Sequence, residues 1–174
     1  ANGLRVPKDD VEATRWFRMA AEQGNMFAQN VLGTHYARGI GVSEDDAEAV
    51  QWYLLAAEQG LALAQLNLGV HYTSGEGIPQ DDVEATRWFR LAAEQGHLGA
   101  QEFLGTMYWI GKGVPQDYVQ SHMWLNLAAS RLTGEDLEKA VEARDSVAQM
   151  MTPAQIAEAQ RLAREWEVAH PRES

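Results

Sequence analysis

Two histidines at equivalent places, His35 and His71, are the side chains in this sequence best suited to chemistry, with Met107 third at the same spacing. Imidazoles in such a series would bind a metal ion or sense pH. The spacing argues against one shared metal. Equivalent residues of stacked helix pairs stand on the order of 10 Å apart, given helix separations of roughly 8–10 Å. Two zinc ligands each lie only about 2 Å from the ion. A methionine in the same series fits a packed, half-apolar slot, so the histidines read as structural and no metal site is expected. Nucleophiles fare no better. Ser43, Ser74, Ser121, Ser130 and Ser146 begin SEDD, SGEG, SHMW, SRLT and SVAQ, none of them S-x-x-K, and no histidine begins H-E-x-x-H. Gly111-Lys112-Gly113 resembles a phosphate loop only faintly, because Thr106 stands where its first glycine belongs and Gly113 where its Ser or Thr belongs. The acid pairs Asp45/Asp46 and Asp81/Asp82 sit at helix starts rather than across a cleft. The chain has no cysteine, hence no disulfide, thiolate metal site or thiol nucleophile. The expectation is a protein that is not an enzyme, with no catalytic residue and no cofactor.

The elements that position these residues are repeats. WFRMAAEQG begins at Trp16, WYLLAAEQG at Trp52, WFRLAAEQG at Trp88 and a decayed WLNLAASRL at Trp124, a step of 36 residues each time (52 − 16 = 88 − 52 = 124 − 88). Each copy reads as two helices, A and B. Helix B opens at Asp9, Asp45, Asp81 and Asp117, with Glu12, Glu48, Glu84 and Gln120 three residues on, in the form of a capping box. Pro7, Pro79 and Pro115 discourage helix just upstream. Gly24, Gly60 and Gly96 suit the left-handed residue that ends a helix. Ala13, Trp16 or Phe17, and Ala20 are the expected buried stripe of B, and the tryptophans are read as skeleton rather than site. Helix A carries Ala28, Leu32 and Tyr36, repeated as Ala64, Leu68, Tyr72 and as Ala100, Leu104, Tyr108, all on one face. Gly33, Gly69 and Gly105 lie inside helix A, where each costs about 1 kcal/mol against alanine; their recurrence implies a close helix crossing.

The repeats are expected over residues 1–132. Residues 1–8 read as an inter-helix loop, with Gly3 in register with Gly39, Gly75 and Gly111, so the chain is expected to start within a repeat. Over 133–174 the period is lost. Leu132 replaces the helix-ending glycine, Thr133 with Asp136 opens a helix through about Met150, and Thr152, Pro153 and Gln155 open a last one. Ile156, Ala159, Leu162 or Ala163, and Trp166 form its apolar stripe. A stack of like units needs an atypical end, and 133–170 is read as that cap, with HPRES as a frayed tail.

The formal net charge is −11, and the chain holds three lysines, Lys8, Lys112 and Lys139. No basic stripe exists for a phosphate backbone, so nucleic acid is not an expected partner. No apolar run approaches the roughly 18 residues of a membrane span, so no membrane insertion is expected. Apolar residues make up 45% of the chain, enough for a packed core.

The stretch AQLNLGVHYTSGEGIPQDDVEATRWFRLAAEQG, Ala64 to Gly96, resembles the unit of the Sel1-like repeat family, relatives of the tetratricopeptide repeats. The resemblance covers about 1–130. It implies an all-α fold, a right-handed α-solenoid of antiparallel helix pairs with the A helices on the concave surface. It also implies a protein–protein adaptor, in bacteria often an envelope or secreted component, with a cytoplasmic place as the alternative. Function should then lie where the copies differ. By analogy with the tetratricopeptide fold, the concave positions are Phe27, Asn30, Thr34, Ala37 and Arg38; then Leu63, Leu66, Val70, Thr73 and Ser74; then Gly99, Glu102, Thr106, Trp109 and Ile110. The expected partner in that groove is a protein or peptide. The alternative is a spacer that makes its contacts through its ends.

Overall fold

The computed structural model describes residues 9–171; the expectations for residues 1–8, Pro7 included, and for the last three residues of the tail lie outside the described part. Nine helices and no strand occur among the described residues: α1 (Asp10–Glu22), α2 (Met26–Arg38), α3 (Asp46–Glu58), α4 (Ala62–Ser74), α5 (Asp82–Glu94), α6 (Leu98–Ile110), α7 (Tyr118–Ala129), α8 (Gly134–Ala148) and α9 (Pro153–Ala169). They fall into two compact units, α1 to α4 and α5 to α9, divided between Gln80 and Asp81. In the first unit α1 to α4 pack each on the next; in the second α5, α6 and α7 do so, and both α8 and α9 pack on α7.

The helix ends follow the local sequence. Asp9, Asp45, Asp81 and Asp117 each accept the backbone N–H three residues on, satisfying a donor the helix itself leaves open. The reciprocal bond that completes a capping box forms, among the described residues, at Thr152 and Gln155. Thr133 is the cap residue of α8 but makes no side-chain cap bond. Gly24 has φ 88°, its N–H donates to the Ala21 carbonyl, and the Asn25 N–H donates to the Ala20 carbonyl. That is a Schellman turn, and it recurs at Gly60 and Gly96. At Leu132 the pattern is absent: Arg131 and Leu132 both donate to the Ala128 carbonyl.

A side chain outside the expected stripes holds each hairpin closed. Gln29, Gln65 and Gln101 are buried, and each Nε2–H donates to the carbonyl of Ala21, Ala57 or Ala93, at 3.1, 3.2 and 3.3 Å. In the first unit the next copy is tied on as well, because Gln59 Nε2 donates to Gln29 Oε1 at 2.7 Å. The turn after helix A folds back on the helix before it. A Cβ at Gly41 would lie 2.1 Å from the Asp10 carbonyl oxygen, and one at Gly113 would lie 1.9 Å from that of Asp82. Thr14 Oγ1 donates within this corner, to Asp10 O or Ile40 O, and Thr86 repeats the arrangement with Asp82 O and Lys112 O.

The helix A stripe buries its alanines and leucines, with Leu32, Leu68, Leu104, Ala64 and Ala100 each at 0% exposure, while Tyr36, Tyr72 and Tyr108 are half-buried. The last helix buries Ala159 and Ala163. The stripe of B requires a correction in α1. Trp16 is 56% exposed and Phe17 36%, while Thr14 and Ala21 are buried. In α3 the equivalent Tyr53 is 4% exposed and packs over Gly33 of α2, and Trp52 rests against Ala21, Ala28 and Leu32. α3 therefore buries its aromatics against the helix pair before it, and no such pair precedes α1 among the described residues.

The close crossing expected at the helix A glycines is present at Gly33 and Gly105. A Cβ at Gly33 would lie 2.8 Å from the Tyr53 ring, and one at Gly105 would lie 2.8 Å from Leu125 Cγ. Gly105→Ala is expected to destabilise the protein by about 1–3 kcal/mol through overpacking, against a helix-propensity gain of about 1 kcal/mol. Urea unfolding measures it, and Leu125→Ala in the same chain should cost less than the two single changes added together.

Candidate partner-binding surface

In the first unit the surface is built by α2 and α4. Phe27 and Leu63, at equivalent places in the two helices, are 60% and 43% exposed. Arg38 and Ser74 are exposed, and Thr34, Leu66 and Val70 are half-buried. Asn30 departs from the expected groove lining: it is 7% exposed, and its Oδ1 accepts from Asn67 Nδ2 at 3.0 Å. A buried amide must be paired, and its partner lies 37 residues on, one off the repeat, so the period does not reveal it. Thr34 is likewise engaged, accepting from the Tyr53 hydroxyl at 3.1 Å. Ala37 and Thr73 are half-buried.

In the second unit the corresponding face is on α6. Ile110 is 54% exposed, and Gly99, Glu102, Thr106 and Trp109 are half-buried. Phe103, which the groove positions omitted, is 43% exposed and stacks on Phe89 at 4.9 Å. Its place varies between copies as Val31, Asn67 and Phe103, which is the signal that would have found it. Phe103 lines a small hollow of about 170 Å³ with Glu102 and Thr106. Burial raises the Glu102 carboxyl above its usual range; Asp136 adds to the rise and Lys139 opposes it.

The histidine series is tied into each repeat. His35 Nδ1 lies 2.6 Å from Thr14 Oγ1, and the ring meets Phe17 edge-on. His71 Nδ1 lies 2.9 Å from the Glu76 carbonyl oxygen, and the ring tilts against Tyr53. Because a carbonyl only accepts, His71 Nδ1 carries the proton. Met107, third in the series, is buried. No group of three or more His, Cys, Asp or Glu able to hold a metal occurs among the described residues.

An all-α array of helix pairs that varies at its exposed A positions belongs to the helical-repeat class, whose members act by presenting surface. The Sel1 repeat model matches residues 1–25, 27–61, 62–97 and 99–131, and the chain belongs to the Sel1 repeat family. Sel1 repeats are in general protein–protein interaction modules, and the scaffold is typically non-catalytic. The chain is similar to a Sel1 repeat protein of Oxalobacter formigenes, with 32% identity and a TM-score of 0.67 over 75% of this chain and 98% of that one. It is also similar to c5321, a protective antigen of uropathogenic Escherichia coli with this repeat fold. There the identity is 29% and the TM-score 0.60, over 97% of this chain and 43% of that one. Helicobacter pylori cysteine rich protein B shares the fold at 21% identity and a TM-score of 0.58, over 78% and 97% of the two chains. The comparison with curated proteins gives no match. No helix among the described residues is long and apolar enough to cross a membrane.

One buried histidine gives the fold a pH dependence. His122 on α7 is 4% exposed, its Nδ1 has no partner among the described residues, and its pKa is lowered from 6.5 by burial and by Arg144, with Asp145 opposing. The unfolded chain takes up this proton below about 6.5 while the folded chain does not, so stability is expected to fall as pH drops below that value. His122→Val, which copies Val50 of the second repeat, should flatten the dependence between pH 7 and pH 5 in thermal melts.

Proposed function

We propose that this chain is a non-enzymatic adaptor that holds a partner protein or peptide against the exposed face of its A helices. The observation that carries the reading is the pair Phe27 and Leu63, large apolar side chains exposed at equivalent places on α2 and α4. Water alone does not call for such a pair, and an amphipathic helix or extended peptide would cover both. Leu66 and Val70 supply half-buried apolar surface on α4, and Arg38 and Ser74 give polar ends. On α6, Glu102, Thr106, Trp109 and Ile110 play the same part in the second unit. Asn30 is assigned to the scaffold, through its bond to Asn67.

A second reading has a specific observation behind it. Val11 at 67%, Trp16 at 56% and Met19 at 44% exposure leave α1 with an apolar surface of its own. Contacts made through that end would make the chain a spacer or assembly piece.

A pull-down from lysate with three baits separates the two: the native chain, Phe27→Ser/Leu63→Ser, and Trp16→Ser/Met19→Ser. Neither double change touches a fully buried side chain, so all three should melt alike. The adaptor reading expects a partner lost from the first variant and kept by the second. The reverse pattern assigns the contact to α1 and sinks the groove.

A further inference from the structure

We propose that Arg131, with the stacked rings of Trp166 and His170, forms a pocket for a singly charged carboxylate attached to a flat apolar group. This site is separate from the A-helix face. It is a cavity of about 540 Å³ in the second unit, a size that suits a small ligand. Gly96 at the end of α5, Arg131 just beyond α7, and Trp166 and His170 at the end of α9 line it. A Cβ at Gly96 would lie 3.2 Å from Arg131 Nη1 and 3.7 Å from Trp166 Cη2, so guanidinium and indole approach the same point of backbone. His170 stacks on Trp166 at 4.3 Å, and its Nδ1 donates to the Trp166 carbonyl at 2.9 Å, which fixes the ring as an aromatic wall.

Arg131 is where the fourth copy abandons the repeat. The equivalent places hold Gln23, Gln59 and Gln95. In the first unit Gln59 Nε2 satisfies the buried Gln29 Oε1. Gln101, the counterpart of Gln29 in the third copy, is at 0% exposure, and its Oε1 has no partner among the described residues. A glutamine at 131 would stand as Gln59 does and pair with it. Arginine there donates instead to the Gly96 carbonyl at 3.4 Å, and a buried acceptor is left open at a cost to stability. In this proposal the departure from the repeat is kept because it aims a cation into a cavity, as local rules are broken at functional sites.

The lining also sets the ligand's charge. Arg131 makes no ion pair with a described residue, although Glu94 borders this cavity and Glu167 a second one that shares Arg131, Trp166 and His170, so its planar fork remains open for two parallel bonds to a carboxylate. The two glutamates and the carboxyl ends of three helices repel any anion, and a doubly charged one most, which disfavours phosphates against a single carboxylate. The ligand chemistry is shared by an aromatic residue at the free C-terminus of a peptide and by a free aryl carboxylate.

Calorimetry on the full chain tests this with acetyl-Ala-Phe, its C-terminal amide, and phenylacetate. The expected result is binding of at least one acid, no detectable binding of the amide, and loss of about tenfold or more in affinity in Arg131→Gln, as befits a bidentate charged contact. Tighter binding of the peptide acid would assign a peptide C-terminus; tighter binding of phenylacetate would assign a small metabolite; either supports the pocket. Arg131→Gln should also melt higher than the native chain, which separates loss of the ligand group from loss of fold. Equal binding of acid and amide, unchanged binding in Arg131→Gln, or no binding of either acid overturns the proposal. So does weaker acid binding in Glu94→Gln/Glu167→Gln, since those changes remove repulsion.

Discussion

The whole array depends on one buried hydrogen bond, the glutamine amide of each A helix on an alanine carbonyl at the end of its B helix. In each Schellman turn the glycine N–H already donates to that carbonyl, and its second lone pair remains for another donor. Gln29, Gln65 and Gln101 supply one from the second helix of the hairpin, where a buried amide left unpaired would be expensive. The bond therefore fixes how the two helices face each other, and the small residues around it allow the approach. Gly33 under Tyr53 and Gly105 under Leu125 then seat the next helix directly on the backbone. Each copy is complete only when its neighbour is in place.

That dependence explains why equivalent residues have different fates. Tyr53 is buried and Phe17 is not, although both follow the repeat's tryptophan. Trp124 is 6% exposed and meets Trp166 of the last helix edge-on, where α9 packs on α7. The fourth copy lacks the helix-ending glycine and the Gln of its turn, and Arg131, where the repeat is lost, lines a cavity of about 540 Å³ in the second unit. Where the pattern decays, packing no longer dictates the side chain, and chemistry is free to do so.

The tryptophans and glycines that make the sequence easy to read serve the scaffold; they recur because every copy needs the same contact. The exposed large apolar side chains of the A helices lie at Phe27, Leu63, Phe103 and Ile110, positions whose residues change from copy to copy. His35 and His71, the most reactive-looking pair, close turns with Thr14 and the Glu76 carbonyl.

Helix starts, helix ends, the 36-residue unit and the family follow from the sequence by itself, because caps, left-handed glycines and apolar periodicity are local: each depends on residues within a turn or two. The start of α9 at Thr152, with both halves of its box, is determined in that way. Exposure and pairing are set by neighbours distant in sequence. Only the tertiary structure decides that Asn30 turns to Asn67, that Trp16 is left in solvent, that Gln101 Oε1 has no partner among the described residues where Gln29 Oε1 has one, and that Arg131, Trp166 and His170 meet around one cavity. No spacing in the chain encodes those contacts, because each joins elements whose separation is set by how the helices pack.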